Sequence, residues 1–96
     1  MCLVTEQLKF TKVPSNVTLQ LGSSERIVCQ AEGKTRPRVR WYRDGRTVQA
    51  AHISQQDGSL YFRVVESGDA GLYMCTATNE QGMINATVRL DVVGQY

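Results

Sequence analysis

The chain has one histidine, two prolines and three cysteines among 96 residues, and each scarcity excludes something. A single histidine, His52, with no cysteine cluster beside it leaves a zinc ion without a ligand set. In its turn-rich segment His52 reads as a surface residue. No serine lies in a Gly-x-Ser-x-Gly elbow, and no glycine-rich phosphate loop occurs. Asp57, Glu66 and Asp69 fall in turns, where Asp69 reads as a corner residue held by hydrogen bonds and charge pairing. The expectation is therefore no enzyme, no metal and no cofactor. No apolar run approaches the roughly 20 residues that span a bilayer, so direct membrane insertion by this segment is not expected. A net charge of only +2 gives no reason to invoke nucleic acid. Helical periodicity is almost absent.

What remains is alternation. A chain of this length suits one modest core, and its 42% hydrophobic and 21% charged content is ordinary for a globular domain. Apolar and polar residues alternate through 8–13, and Pro14 then interrupts the run because proline cannot donate to a ladder. Alternation resumes over 17–21. Ile27, Cys29 and Ala31 share one face, as do Val39 and Trp41, with Arg38, Arg40 and Tyr42 on the other. Leu60, Phe62 and Val64 are expected inward, then Tyr73, Cys75 and Ala77, then Ala86, Val88, Leu90 and Val92. Asp44-Gly45 and Asp57-Gly58 are strong tight-turn signals. One or two short strands are expected between Thr47 and Gln56. Seven or more short strands with regular turns argue for an all-β sandwich. The domain is expected over 8–93, with 1–7 an added start or linker and 94–96 a tail. The first residues lack the basic and apolar regions of a signal peptide, and the whole reads as one domain of something longer.

One constellation is more specific. Cys29 and Cys75 lie 46 positions apart, Trp41 follows Cys29 by 12, and Tyr73 precedes Cys75 by two within Asp69-x-Gly71-x-Tyr73-x-Cys75. With Asn79-x-x-Gly82, this pattern resembles the immunoglobulin superfamily over most of the chain. Pro14 splitting the first strand, the phrase Ala77 to Gly82, and a Gly45 to Gly58 region too short for an extra strand pair resemble the intermediate set of adhesion molecules and receptors. Leu8 to Thr11 and Asp57 to Phe62 are more finely similar to repeats of off-track-type receptors with an inactive kinase domain. The resemblance implies a two-sheet Greek-key sandwich with one inter-sheet disulfide, Cys29–Cys75, packed on Trp41, and a Tyr73 hydroxyl bonded to the corner backbone. Such a bridge implies an oxidising compartment, hence an extracellular or cell-surface parent. The competing arrangement is a pair of buried thiols, as in intracellular muscle immunoglobulin domains. Cys2 stays outside this scheme, as a free thiol or one half of a pair made elsewhere.

Function is expected at outward positions. Asn16-Val17-Thr18 and Asn85-Ala86-Thr87 are N-glycan acceptor motifs at outward or edge strand positions. Lys34, Arg36, Arg38, Arg40, Arg43 and Arg46 form a basic cluster with few acids near it. It reads either as a solvated sheet face or as a surface for an acidic protein or a heparan-sulfate-like glycan. Arginine and tyrosine are favoured at binding hot spots, so Arg38, Arg40 and Tyr42, joined by Met74 and Arg89, are the candidate partner surface. Leu72 is expected beside them. An edge strand offers a further route to weak homodimers. The leading expectation is an extracellular binding module of a multidomain receptor or adhesion protein. The alternatives are a structural spacer in a tandem array and an intracellular muscle or cytoskeletal domain.

Overall fold

The computed structural model describes residues 7–48 and 50–94, so Cys2 and the end of the tail lie outside the described residues. The described strands are β1 (Lys9–Lys12), β2 (Asn16–Gln20), β3 (Glu25–Val28), β4 (Gln30–Glu32), β5 (Arg38–Arg43), β6 (Arg46–Thr47), β7 (Ile53–Gln56), β8 (Ser59–Phe62), β9 (Gly71–Asn79) and β10 (Gly82–Val93). One layer has the order β2-β10-β9-β5-β6, and the other contains β3-β8-β7 and the pair β1-β4. All pairs are antiparallel except β2 with β10. Pro14 lies between β1 and β2, where the first strand leaves one layer for the other.

Period two places the core. Leu60 and Phe62 of β8, Tyr73 and Cys75 of β9, Val88 and Leu90 of β10, and Trp41 of β5 are buried together with Leu19, Ile27 and Cys29. Cys29 and Cys75 form a disulfide that joins the layers, with Cα atoms 6.7 Å apart. The expected inward Val64 is instead exposed, and Val65 is buried in its place. Strand β8 ends at Phe62, and a bend at 63–64 shifts the phase by one residue. The Val65 backbone then pairs with Gly22 and Ser23. The short region after Gly45 holds β6, of two residues, and then crosses to β7 in the other layer.

Asp44-Gly45 and Asp57-Gly58 both close two-residue hairpins with positive φ at both central residues, the twist that matches paired strands. Gly58 does more than turn. Its carbonyl accepts the Trp41 indole N–H at 3.0 Å and the Cys29 N–H at 2.9 Å. Its φ is +84°, and a Cβ there would overlap the Cys29 carbonyl. The break between β3 and β4 at Cys29 is thus filled from the Asp57-Gly58 turn.

A second cross-layer contact protects an edge. Strand β6 is too short to cover β5 as far as Trp41. The Gln55 side chain, on β7, substitutes for a strand: its Oε1 accepts the Trp41 N–H at 2.9 Å and its Nε2 donates to the Trp41 carbonyl at 3.0 Å. Unpaired edge groups of this kind otherwise cost stability or recruit another chain. Gln55→Ala is therefore expected to lower unfolding free energy by about 1–3 kcal/mol. Gly58→Ala is expected to lower it by at least about 2 kcal/mol, because strain and overlap coincide. Urea unfolding measures both, and an unchanged midpoint for Gly58→Ala would contradict this account of the turn.

Candidate functional site

Two polar regions stand out, a corner and a sheet face. At the corner, the Tyr73 hydroxyl donates to the Asp69 carbonyl at 2.8 Å. Arg43 Nη1 donates to the Tyr73 oxygen at 3.1 Å, Nη2 donates to the Ala70 carbonyl at 2.7 Å, and the guanidinium lies over the Tyr73 ring. Gly71 has φ +152°, and a Cβ there would press on Arg43 at 3.0 Å, which accounts for the glycine in the Asp69-to-Cys75 motif. The buried Asp69 carboxylate accepts the Glu66 backbone N–H at 2.7 Å and the His52 Nε2–H at 2.9 and 3.0 Å. His52 is therefore not a free surface residue. Its side chain is 13% exposed and forms part of the corner.

Arg43 leaves the basic cluster for the same reason of alternation. It pairs in register with the inward Tyr73, whereas Arg38, Arg40 and Tyr42 point to the opposite face. Arg46 pairs with Arg43 and lines a groove beside the corner with His52 and Asp69. These polar groups satisfy one another. The Asp69 carboxylate ties His52 to the Glu66 backbone.

The outward face of β5, β9 and β10 is different. Its rows follow from register. Arg38 lies opposite Thr78, and Thr78 opposite Met83. Arg40, Thr76 and Asn85 form the next row. Tyr42, Met74 and Thr87 form the third. Arg38, Arg40, Tyr42, Met74, Met83 and Asn85 line one open groove of about 500 Å³. Thr76 is buried at its centre. Among the described residues, no ion pair engages Arg38 or Arg40.

Arg89 shares this face but not the groove. It lies opposite Leu72, beside Asn16 of β2, and its Nε is 3.4 Å from Asp91. Leu72, 56% exposed, sits next to Arg89 rather than beside Arg40 and Tyr42, because β5 ends opposite Tyr73. Asn16 and Asn85 are both exposed on this face. Met83 was not among the expected site residues. Its outward place follows from the hairpin register of β9 and β10, which puts it opposite Thr78.

The profile of the immunoglobulin I-set domain matches residues 8–92. The chain belongs to the immunoglobulin I-set domain family. It is 44% identical over 93 residues to the tyrosine-protein kinase-like otk of Drosophila melanogaster, covering 94% of this chain and 9% of that protein. The solved structure of Drosophila OTK extracellular domains 3–5 superposes with a TM-score of 0.84 at 43% identity, over 93% of this chain and 31% of that one. The immunoglobulin complex of titin M10 with obscurin-like 1 superposes with a TM-score of 0.79 at 27% identity, over 92% and 95% of the two chains. The chain thus spans about a tenth of the curated relative, and what it shares is an I-set domain rather than a kinase domain.

Within this I-set domain, the motif Asn79-x-x-Gly82 also has a structural part. The Asn79 side chain donates to the Thr35 carbonyl and accepts from the Gln81 N–H, while Gln81 Oε1 accepts the Lys34 N–H. These bonds tie the β9–β10 hairpin to the loop entering β5, so the groove is held at that end.

The corner makes a pH prediction. Burial pushes the Tyr73 phenol above its ordinary value of 10.0, and the nearby Arg43 offsets only part of that rise. The folded state therefore holds the proton more tightly than the unfolded chain. The corresponding stability is complete below the unfolded value and is lost as pH rises from there through the folded one. Urea midpoints are expected to hold steady up to about pH 10 and then fall. Tyr73→Phe should lower stability at neutral pH by about 1 kcal/mol and shrink the alkaline fall. An alkaline fall of the same size in Tyr73→Phe would assign it elsewhere.

Proposed function

We propose that this I-set domain is an extracellular protein-recognition module, and that the β5–β9–β10 face is the surface it uses. One observation carries the reading: two arginines that no ion pair engages among the described residues border a groove lined by Met74, Tyr42 and Met83. Aromatic and arginine side chains around a partly apolar pocket are the composition of binding hot spots. The bridge suits an oxidising compartment, and the OTK structure that the chain resembles consists of extracellular domains.

Charge selects the class of partner. A second copy meeting this face by two-fold symmetry would offer Arg38 and Arg40 no acidic partner, because the only charges lining the groove are these two arginines. A sulfated glycan would bind chiefly through charge, and the groove supplies only Arg38 and Arg40 for that. An acidic protein surface with an apolar centre uses both the arginines and the methionine and tyrosine surface. The titin–obscurin-like 1 complex is a precedent for pairing between immunoglobulin domains in this fold. A membrane-bound or secreted parent of receptor or adhesion type fits this reading, with Arg89 and Leu72 at the margin of the contact.

A fluorescent tetramer of the chain, applied to a panel of animal cells, tests the proposal. Staining should fall at least about tenfold when Arg38 and Arg40 are both changed to glutamate. Arg26→Glu with Arg63→Glu, on the other layer, should leave it intact. Protease treatment of the cells should abolish staining and heparinase treatment should not. Loss with heparinase alone would establish a sulfated glycan as the ligand instead. Absence of staining on every cell type, by the glycan-free chain as well, would mark the domain as a spacer.

A further inference from the structure

We infer that Asn85 carries an N-linked glycan whose first sugars lie along the β5–β9–β10 groove and cover it. The acceptor motif is displayed on one strand face. Asn85 and Thr87 are two residues apart on β10, both exposed and both outward, while Ala86 between them faces the core side. The Asn85 side chain is itself part of the groove wall. Attachment there starts a sugar chain inside the groove rather than beside it.

The lining suits a sugar. Asn85, Thr76 and Arg40 occupy one register row on three neighbouring strands, so Asn85 and Arg40 stand about 10 Å apart at ordinary strand spacing. Thr76 is buried between them and leaves a low floor. Tyr42 and Met74 in the next row, and Met83 in the row before, offer apolar surface to the non-polar faces of sugar rings. Arg38 and Arg40 supply N–H donors for sugar hydroxyls and for an N-acetyl oxygen. Neither is held by an ion pair among the described residues.

Asn16 provides the contrast. It lies on the same face, on β2, against Arg89. That row contains the exposed Leu72 and the Arg89–Asp91 ion pair, and Asn16 does not line the groove. A glycan at Asn16 leaves the groove open.

The covalent step is the ordinary glycan transfer of the secretory pathway. The Asn85 side-chain nitrogen forms a bond to C1 of the terminal N-acetylglucosamine of a lipid-pyrophosphate-linked oligosaccharide. The C1–O bond to the pyrophosphate breaks, the lipid pyrophosphate departs, and the amide nitrogen loses one proton. No oxidation or reduction occurs. The inference rests on the recognition reading in one respect: the groove is the same, so occupancy at Asn85 sets how much of the face is free to bind.

The test uses the chain secreted from a glycosylating animal cell as wild type, Asn85→Gln and Asn16→Gln. Peptide mass spectrometry after glycosidase treatment in heavy-oxygen water reports which asparagine was occupied. Mild peroxide oxidation of the folded proteins reports access to Met74 and Met83. The expected result is occupancy at Asn85, and oxidation of both methionines several-fold slower in wild type and in Asn16→Gln than in Asn85→Gln. Enzymatic removal of the glycan from folded wild type should restore the faster rate. An unmodified Asn85, or equal oxidation rates with and without its glycan, would overturn the inference. None of these readouts involves a partner. Failure here leaves the recognition reading standing, and failure of cell staining leaves this one standing.

Discussion

The Cys29–Cys75 bridge joins β9 to the break between β3 and β4, and Cys75 pairs in register with the fully buried Trp41 of β5. Three chain segments converge there. The Gly58 carbonyl receives both the Trp41 indole and the Cys29 amide, so the turn before β8 is held to the bridge and to β5 together. Gln55 adds the backbone of Trp41 to that set. The layers are thereby fixed in relative position as well as in separation. Once β5 and β9 are fixed, their registers fix which side chains face outward, and the groove follows.

The core and the face have opposite chemical character for one geometrical reason. Along β5, Val39, Trp41 and Arg43 turn inward while Arg38, Arg40 and Tyr42 turn outward. The inward arginine is consumed by Tyr73 and Ala70. The outward pair stays available. A single strand therefore supplies the corner with its anchor and the face with its charge. The signature residues that identify the family are packing and hydrogen bonding. The proposed recognition surface consists of the residues between them.

Much of this was legible before any coordinates. Period two placed Trp41, Leu60, Phe62, Tyr73, Cys75, Val88 and Leu90 inside, because each lies in a strand long enough for alternation to hold. It also placed Arg38, Arg40, Tyr42 and Met74 on one face. It failed at Val64 and Val65, where a bend inserts a residue and local pattern has no phase to follow. Grouping by charge, not alternation, misplaced Arg43: it stands in sequence among Arg38, Arg40 and Arg46, yet period two turns it inward toward a partner 30 positions away. His52 and Gln55 were invisible for a related reason. Their roles arise from contacts with Asp69 and Trp41 in other segments, and no spacing within their own segment signals them. That Asn16 and Asn85 share a face required knowing that β2 pairs in parallel with β10.

The bridge holds the two layers in the arrangement that creates the face. Urea unfolding of the chain, oxidised and then reduced under otherwise equal conditions, tests it most directly. In the chain-entropy description a loop of this length is worth about 4 kcal/mol, a large part of the roughly 5–15 kcal/mol available to such a domain. Reduction is expected to lower stability by about that amount. Equal stability of the two forms, with free thiols at Cys29 and Cys75 in the protein as isolated, would contradict it.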